Sequence, residues 1–206
     1  MTTPTPEHLR DACEVLSARD AVLAQAYAEI GLPTWRTTSP TYSALARIVV
    51  YQLISTKAAD AIWARLIAAF PDFSANAIIA SDPDELLACG LSRPKRDHLK
   101  AIAEAVETGA LSVDAMVQQS PDETRRGRLQ VRGIGPWTAD TFMMNALGHL
   151  DAFPHGDVGL IEAYKRLSGA EDRLHAKAFS ALAEAWRPYR AVAAHLLYDW
   201  YNANRS

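Results

Sequence analysis

Helix starts recur along this chain in one form: a capping side chain, then proline at the first helical position, where its missing N–H forfeits no hydrogen bond. Ser39-Pro40, Asp82-Pro83 and Ser120-Pro121 all follow it, and the last two add Glu85 and Glu123 three residues after the cap, the spacing of a capping box. Between these starts Ala and Leu dominate, and no alternation of apolar and polar residues bounded by turns marks a strand. The expectation is an all-α protein. A first amphipathic helical region covers 8–30, ended by Gly31-Leu32-Pro33. Tyr42, Leu45, Ala46, Val49, Val50 and Leu53 form an apolar stripe over about 40–53, and Ser55 or Thr56 caps the next helix, which runs to Pro71. Further helices are expected near 75–80, 83–89, 93–108, 112–118, 121–130, 136–147, 158–167, 172–185 and 189–203, with an extended stretch at 150–157.

The 206 residues suffice to bury a core without staples, and 49% of them are hydrophobic. No apolar run approaches the roughly 18 residues of a membrane span, and the first residues lack the basic and apolar regions of a secretory signal. Two distant cysteines, Cys13 and Cys89, exclude a four-cysteine zinc or iron–sulfur site and point to a reducing compartment. The expected location is cytoplasmic: nucleoid-associated in a bacterium, nuclear in a eukaryote.

Leu129-Gln130-Val131-Arg132-Gly133-Ile134-Gly135-Pro136-Trp137-Thr138-Ala139 reads as a short helix, a tight turn and a second helix opened by Pro136. Gly133 and Gly135 permit positive φ and leave no side chain over the turn, so backbone N–H groups at a helix N-terminus can approach an anion. Either this is a phosphate grip, or the glycines only allow two helices to pack closely. Downstream, Asp157 lies 20 residues after Trp137 in Phe153-Pro154-His155-Gly156-Asp157-Val158-Gly159-Leu160. Asp157 is an expected N-cap, and an aspartate so placed is favoured as the anion, suiting a carboxylate that stabilises positive charge. No histidine, cysteine and carboxylate cluster has zinc spacing, and no serine triad is evident.

The hairpin, the 20-residue gap and the Phe-Pro-x-x-Asp-x-Gly-Leu segment together resemble the helix–hairpin–helix (HhH-GPD) DNA glycosylase superfamily, and within it the 3-methyladenine DNA glycosylase II group. Tyr42 to Ala59, with Gln52-Leu53-Ile54-Ser55, resembles the family's Gln-rich helix junction. Gly90-Leu91-Ser92 with Lys95 and Leu99 resembles its Gly-Leu-Ser-x-x-Lys segment, and Trp186 to Tyr201 its C-terminal helix. The likeness extends over about residues 18–202. It implies two helical domains, 40–135 leading into a hairpin at about 121–148, and 1–39 with 136–206, with a cleft for a flipped base and no N-terminal α/β domain.

The resemblance also implies roles. Asp157 is the catalytic carboxylate. Trp137 stands where strand-nicking relatives carry a lysine nucleophile, so a glycosylase without lyase activity is expected, acting on N3- or N7-alkylated purines whose positive charge an indole face attracts. Trp137, Trp200, Gln52 and Thr141 line the base pocket, with core packing the alternative for Trp200 and helix capping for Gln52. Leu53 is the wedge that fills the gap left by the flipped base, or a core leucine on the 42–53 stripe, whose phase points it inward. Arg132, Gly133, Gly135, Thr138, Ser55 and Lys57 meet phosphates, and the carbonyls of Arg132 and Ile134 are candidates for a monovalent cation. His155 is left outside the catalytic set, and no cofactor is expected. The partner is duplex DNA with a damaged base, the protein acting as a monomer away from membranes. Other readings are a glycosylase for a mismatched, deaminated or oxidised base, a non-catalytic DNA-binding module, and a purely structural helical protein.

A net charge of -3 is on its face unfriendly to DNA, but it is unevenly spread. Residues 93–100 carry +3, with Arg93, Lys95, Arg96 and Lys100 against Asp97, and residues 125–132 carry +4 through Arg125, Arg126, Arg128 and Arg132. The expectation is an acidic body with a basic docking face.

Overall fold

A computed structural model describes residues 3–118, 123, 124, 126 and 131–204. Those residues form helices and connecting turns, with no strand among them. Of the expected helix at 121–130 only 123, 124 and 126 are described; its Ser120-Pro121 start, the Leu129-Gln130 entry to the hairpin, Arg125 and Arg128 lie outside the described residues. The chain falls into two compact units, 1–37 with 143–206, and 38–142.

In the first unit, α1 (Pro6–Arg19) and α2 (Ala21–Ile30) replace the single region expected over 8–30. Asp20 makes the break. Its extended backbone ends α1, and its carboxylate accepts the N–H groups of Val22 at 2.8 Å and Leu23 at 3.4 Å, starting α2 afresh. Its second oxygen accepts the indole N–H of Trp186 at 2.8 Å and the hydroxyl of Tyr164 at 3.2 Å, tying this corner to the core. That core is Leu9, Leu16, Leu23, Leu160, Leu196 and Leu197, with an aromatic cluster of Phe153, Phe179 and Trp186, all buried.

In the second unit, α3 (Tyr42–Tyr51), α4 (Thr56–Ala69), α5 (Ala75–Ala80), α6 (Pro83–Ala88), α7 (Arg93–Glu107) and α8 (Val113–Gln118) follow in order. The long α7 packs on α3, α5 and α6 through Leu99, Ile102 and Ala103, and the Tyr42 hydroxyl donates to the Leu99 carbonyl at 3.1 Å. Ser39-Pro40 does not start α3. The cap is Thr41, whose hydroxyl accepts the Ala44 N–H. Asp82-Pro83 does start α6, but its carboxylate accepts from Asp84 N–H rather than closing on the residue-85 N–H of a capping box. Helix α4 buries Ala59 and Leu66 and leaves Ile67 exposed.

The next helix, α9 (Pro136–Asn145), contains the division between the units, which falls at 142/143 rather than at its start. The first unit is completed by α10 (Val158–Ser168), α11 (Ala176–Leu182), a 3-10 turn at Ala183–Trp186 and α12 (Arg190–Ala203).

Candidate functional site

The candidate residues fall into two groups, one in each unit. In the second unit the hairpin turns at Val131–Gly133, where the Ile134 N–H donates to the Val131 carbonyl at 3.1 Å and Ile134 is buried. The two glycines do different work. Gly133 has φ +94°, and a Cβ there would lie 2.6 Å from Cβ of His98 on α7, so only glycine fits. Gly135 lacks positive φ, contrary to expectation, and a Cβ there would meet nothing within 4 Å. What it provides is an uncovered backbone. Arg132 is exposed beside it. The Arg132 and Ile134 carbonyls assigned to a cation are neutral oxygen donors, chemistry that suits a hard alkali ion.

Thr138 is 1% exposed and its hydroxyl accepts the Gln52 side-chain amide at 2.8 Å, so its backbone is the part left for a phosphate. Trp137 is partly exposed, and Thr141 is buried with no hydrogen-bond partner for its hydroxyl among the described residues. Ser55 caps α4 by accepting the Ala58 N–H at 3.3 Å, with Lys57 exposed in the first turn. An anion at this helix end would meet backbone N–H groups and a cation together.

Leu53 is 98% exposed, which overturns the inward phase. Helix α3 ends at Tyr51, so the 3.6-residue period no longer applies, and Leu53 sits in the left-handed region at φ 57°. A branched residue there costs about 1–2 kcal/mol relative to its ordinary backbone. The basic segment 93–100 is also not a free docking face. The Lys95 ammonium donates to the Val50 and Gln52 carbonyls, Lys100 to those of Ile79 and Ser81, and Arg96 pairs with Asp97. Each end of a helix leaves backbone groups unpartnered, and these lysines satisfy carbonyls at two such ends.

The first unit carries the carboxylate. Asp157 caps α10, accepting the Leu160 N–H at 2.9 Å. The segment before it is fixed by packing: Phe153 is 0% exposed in the aromatic cluster, and Asp151 accepts from the buried Arg190 guanidinium at 2.9 Å. The Tyr198 phenol on α12 hydrogen-bonds Asp157 and is pushed well above the ordinary tyrosine range, first by burial and then by the carboxylate's charge. Gly159 lies beside both, since a Cβ there would stand 3.1 Å from Asp157 Oδ1 and 3.8 Å from Tyr198 Cε1. His155 Nδ1 is 3.0 Å from the Ser180 hydroxyl.

Trp200 is 8% exposed and donates its indole N–H to Glu29 on α2. Two residues apart on a helix point to nearly opposite sides, so α12 aims Tyr198 at Asp157 and Trp200 into the body. Trp200 is buried against α2, and Tyr198 is the aromatic beside the carboxylate that sequence reasoning missed. Its signal was present, one turn after His195 on the same face. Also missed is a cluster on that face: Trp35 lies 4.5 Å from the His195 ring, Arg36 pairs with Asp199, and Asp199 accepts the Thr34 N–H at 2.6 Å. Burial and the Arg36 charge push His195 down to about 4, leaving it neutral at physiological pH.

The comparisons with known proteins agree with one another. Residues 46–188 match the model of the HhH-GPD superfamily of base excision DNA repair proteins. DNA-3-methyladenine glycosylase 1 of Schizosaccharomyces pombe is 31% identical over 171 residues, 78% of this chain and 70% of its own length. Relatives from Bacillus subtilis and Mycobacterium tuberculosis are longer, and the chain spans 58% and 32% of them. Among solved structures, the S. pombe 3-methyladenine DNA glycosylase in complex with abasic DNA matches with TM-score 0.82 and 26% identity, covering 91% of this chain and 95% of that one. A DNA-3-methyladenine glycosidase from Bacillus halodurans matches with TM-score 0.75 and 28% identity, over 98% and 91%. The chain belongs to the HhH-GPD superfamily of base excision DNA repair proteins.

Proposed function

We propose that this protein is a monofunctional DNA glycosylase that hydrolyses the N-glycosidic bond of alkylated purines flipped out of duplex DNA. The observation that carries the reading is Asp157, a carboxylate held by a helix N-terminus and by the Tyr198 phenol within a family of repair proteins. The names of the relatives, which refer to 3-methyladenine, support the substrate class.

An N3- or N7-alkylated purine is already cationic. When its bond to C1′ breaks, the electron pair goes to the base and neutralises it, so no acid need protonate the leaving group. Positive charge then develops on the sugar, where a fixed carboxylate is worth several kcal/mol, about 10²–10³ in rate. Asp157 stabilises that charge, orients the water whose oxygen bonds to C1′ and accepts the proton that water gives up. Trp137 offers an indole face to the cationic base, worth about 0.5–2 kcal/mol. It stands where a lysine would be needed for strand cleavage, so the abasic strand is left whole. Tyr198 takes the place first given to Trp200. The exposed Gly135 backbone with Arg132, and the Ser55–Lys57 helix end, grip phosphates of one duplex, the protein acting as a monomer.

The test is a panel of duplexes containing 3-methyladenine, 7-methylguanine, hypoxanthine, uracil and 8-oxoguanine. Release of the methylated purines, with strand scission only after alkali, is expected. Release of only an uncharged base would move the substrate class. Release of none, with salt-sensitive binding retained, would leave a DNA-binding module.

A further inference from the structure

Leu53 stands at the tip of a four-residue loop, and three ties hold that loop from beneath. The Lys95 ammonium donates to the Val50 and Gln52 carbonyls, both at 2.7 Å. The Gln52 side chain donates to Thr138 on α9. Tyr51 donates its hydroxyl to Asp60 on α4 and accepts from Arg47. The tip itself touches little: Leu53 is almost fully exposed and Ile54 is 39% exposed. Glycine would hold φ 57° without strain, so a leucine there implies that the side chain itself is wanted.

Lys95 is oddly placed for a surface cation. It lies in the first turn of α7, where the helix dipole disfavours positive charge, and it is partly buried, which lowers its affinity for a proton. What compensates is the carbonyl end of α3. Arg93 and Lys57, by contrast, are exposed as phosphate contacts need to be. A local choice that conflicts with its own helix is explained by what it does elsewhere.

We propose that Lys95 is a positioning residue for base flipping, fixing the loop that presents Leu53 and acting on the reaction through that side chain rather than through DNA phosphate. The proposal rests on the glycosylase reading.

A double-mutant cycle tests it, with Lys95→Met, Leu53→Ala and the pair in the full chain, and Lys95→Arg as rescue. Flipping is read from the fluorescence of 2-aminopurine beside an abasic-site analogue, and base release in single turnover on methylated duplex. Misplacement of a positioned group by an ångström costs up to about 10²-fold. Lys95→Met is therefore expected to lose about tenfold in flipping and release, and to lose nothing further on the Leu53→Ala background. Arginine, which can still donate to both carbonyls, restores most of the loss. The salt slope for undamaged duplex stays unchanged. Additive losses, or a salt slope reduced by about one as for a lost phosphate contact, would overturn the proposal. If methionine unfolds the protein, Lys95→Gln carries the same cycle. Failure of the wild type to release any base would count against the glycosylase reading, while the fluorescence cycle would still report on Lys95.

Discussion

Phe153 and Leu53 are both large apolar residues just ahead of a functional helix, and their surroundings are opposite. Phe153 is buried among Phe179 and Trp186, in a segment that Arg190 clamps through Asp151, and it leads into the cap of α10. Leu53 leads into the cap of α4 with nothing around it, on a strained backbone held by hydrogen bonds from below. The region that carries the carboxylate is rigid because it is packed. The region that presents Leu53 is rigid because it is tied, and its tip is left bare. The difference suits the two tasks proposed for them: a charge that must not move, and a side chain that must enter a space made by the substrate.

Stability measurements should split the two regions. Phe153→Ala is expected to cost about 3–5 kcal/mol in chemical denaturation, the usual range for a buried aromatic. Gly133→Ala comes next, at about 2–4 kcal/mol, since the new Cβ meets His98 and the backbone disfavours it. Its neighbour sharpens the comparison. Gly135→Ala meets open space and should melt like the wild type, while its affinity for undamaged duplex falls about tenfold because a methyl group now covers the turn. Leu53→Ala should stay within about 0.5 kcal/mol of the wild type; a loss comparable to that of Phe153→Ala would show the tip to be packed after all.

A separate effect concerns pH. The imidazole of His195 has an ordinary value of 6.5, pushed down to about 4 in the fold by burial and then by Arg36. Below 6.5 the unfolded chain takes a proton that the folded chain refuses, so stability falls as pH drops from 6.5 toward 4. His195→Gln should flatten the melting temperature over that window. An unchanged slope would mean that His195 is charged in the fold.

Much of the fold was legible because capping side chains and breakers act locally. Ser55, Asp82 and Asp157 cap helices as read. Asp20 escaped notice because apolar residues continue on either side of it, and only the fold shows its carboxylate capping a new helix at Val22 and Leu23 while it holds Tyr164 and Trp186. At the site, residue types were easier to read than directions. Trp200 drew attention by size, yet two residues along a helix reverse direction, and Tyr198 faces Asp157. Lys95 was counted as surface charge because sequence does not show that a helix end, with its unpartnered carbonyls, lies within reach. The inward phase of Leu53 failed for the converse reason: periodicity holds only while the helix lasts, and α3 stops at Tyr51. Gly133 and Gly135 look alike in sequence, and only the presence or absence of a neighbour tells them apart.

The central claim is that Asp157 makes this fold a glycosylase. Single-turnover release of 3-methyladenine and 7-methylguanine by the wild type and by Asp157→Asn, with binding of abasic-site duplex measured on the same preparations, tests it most directly. The account predicts that the asparagine variant folds and binds abasic DNA within a few-fold of the wild type while base release falls by about 10²–10³ or more. Near-normal release by Asp157→Asn would contradict it.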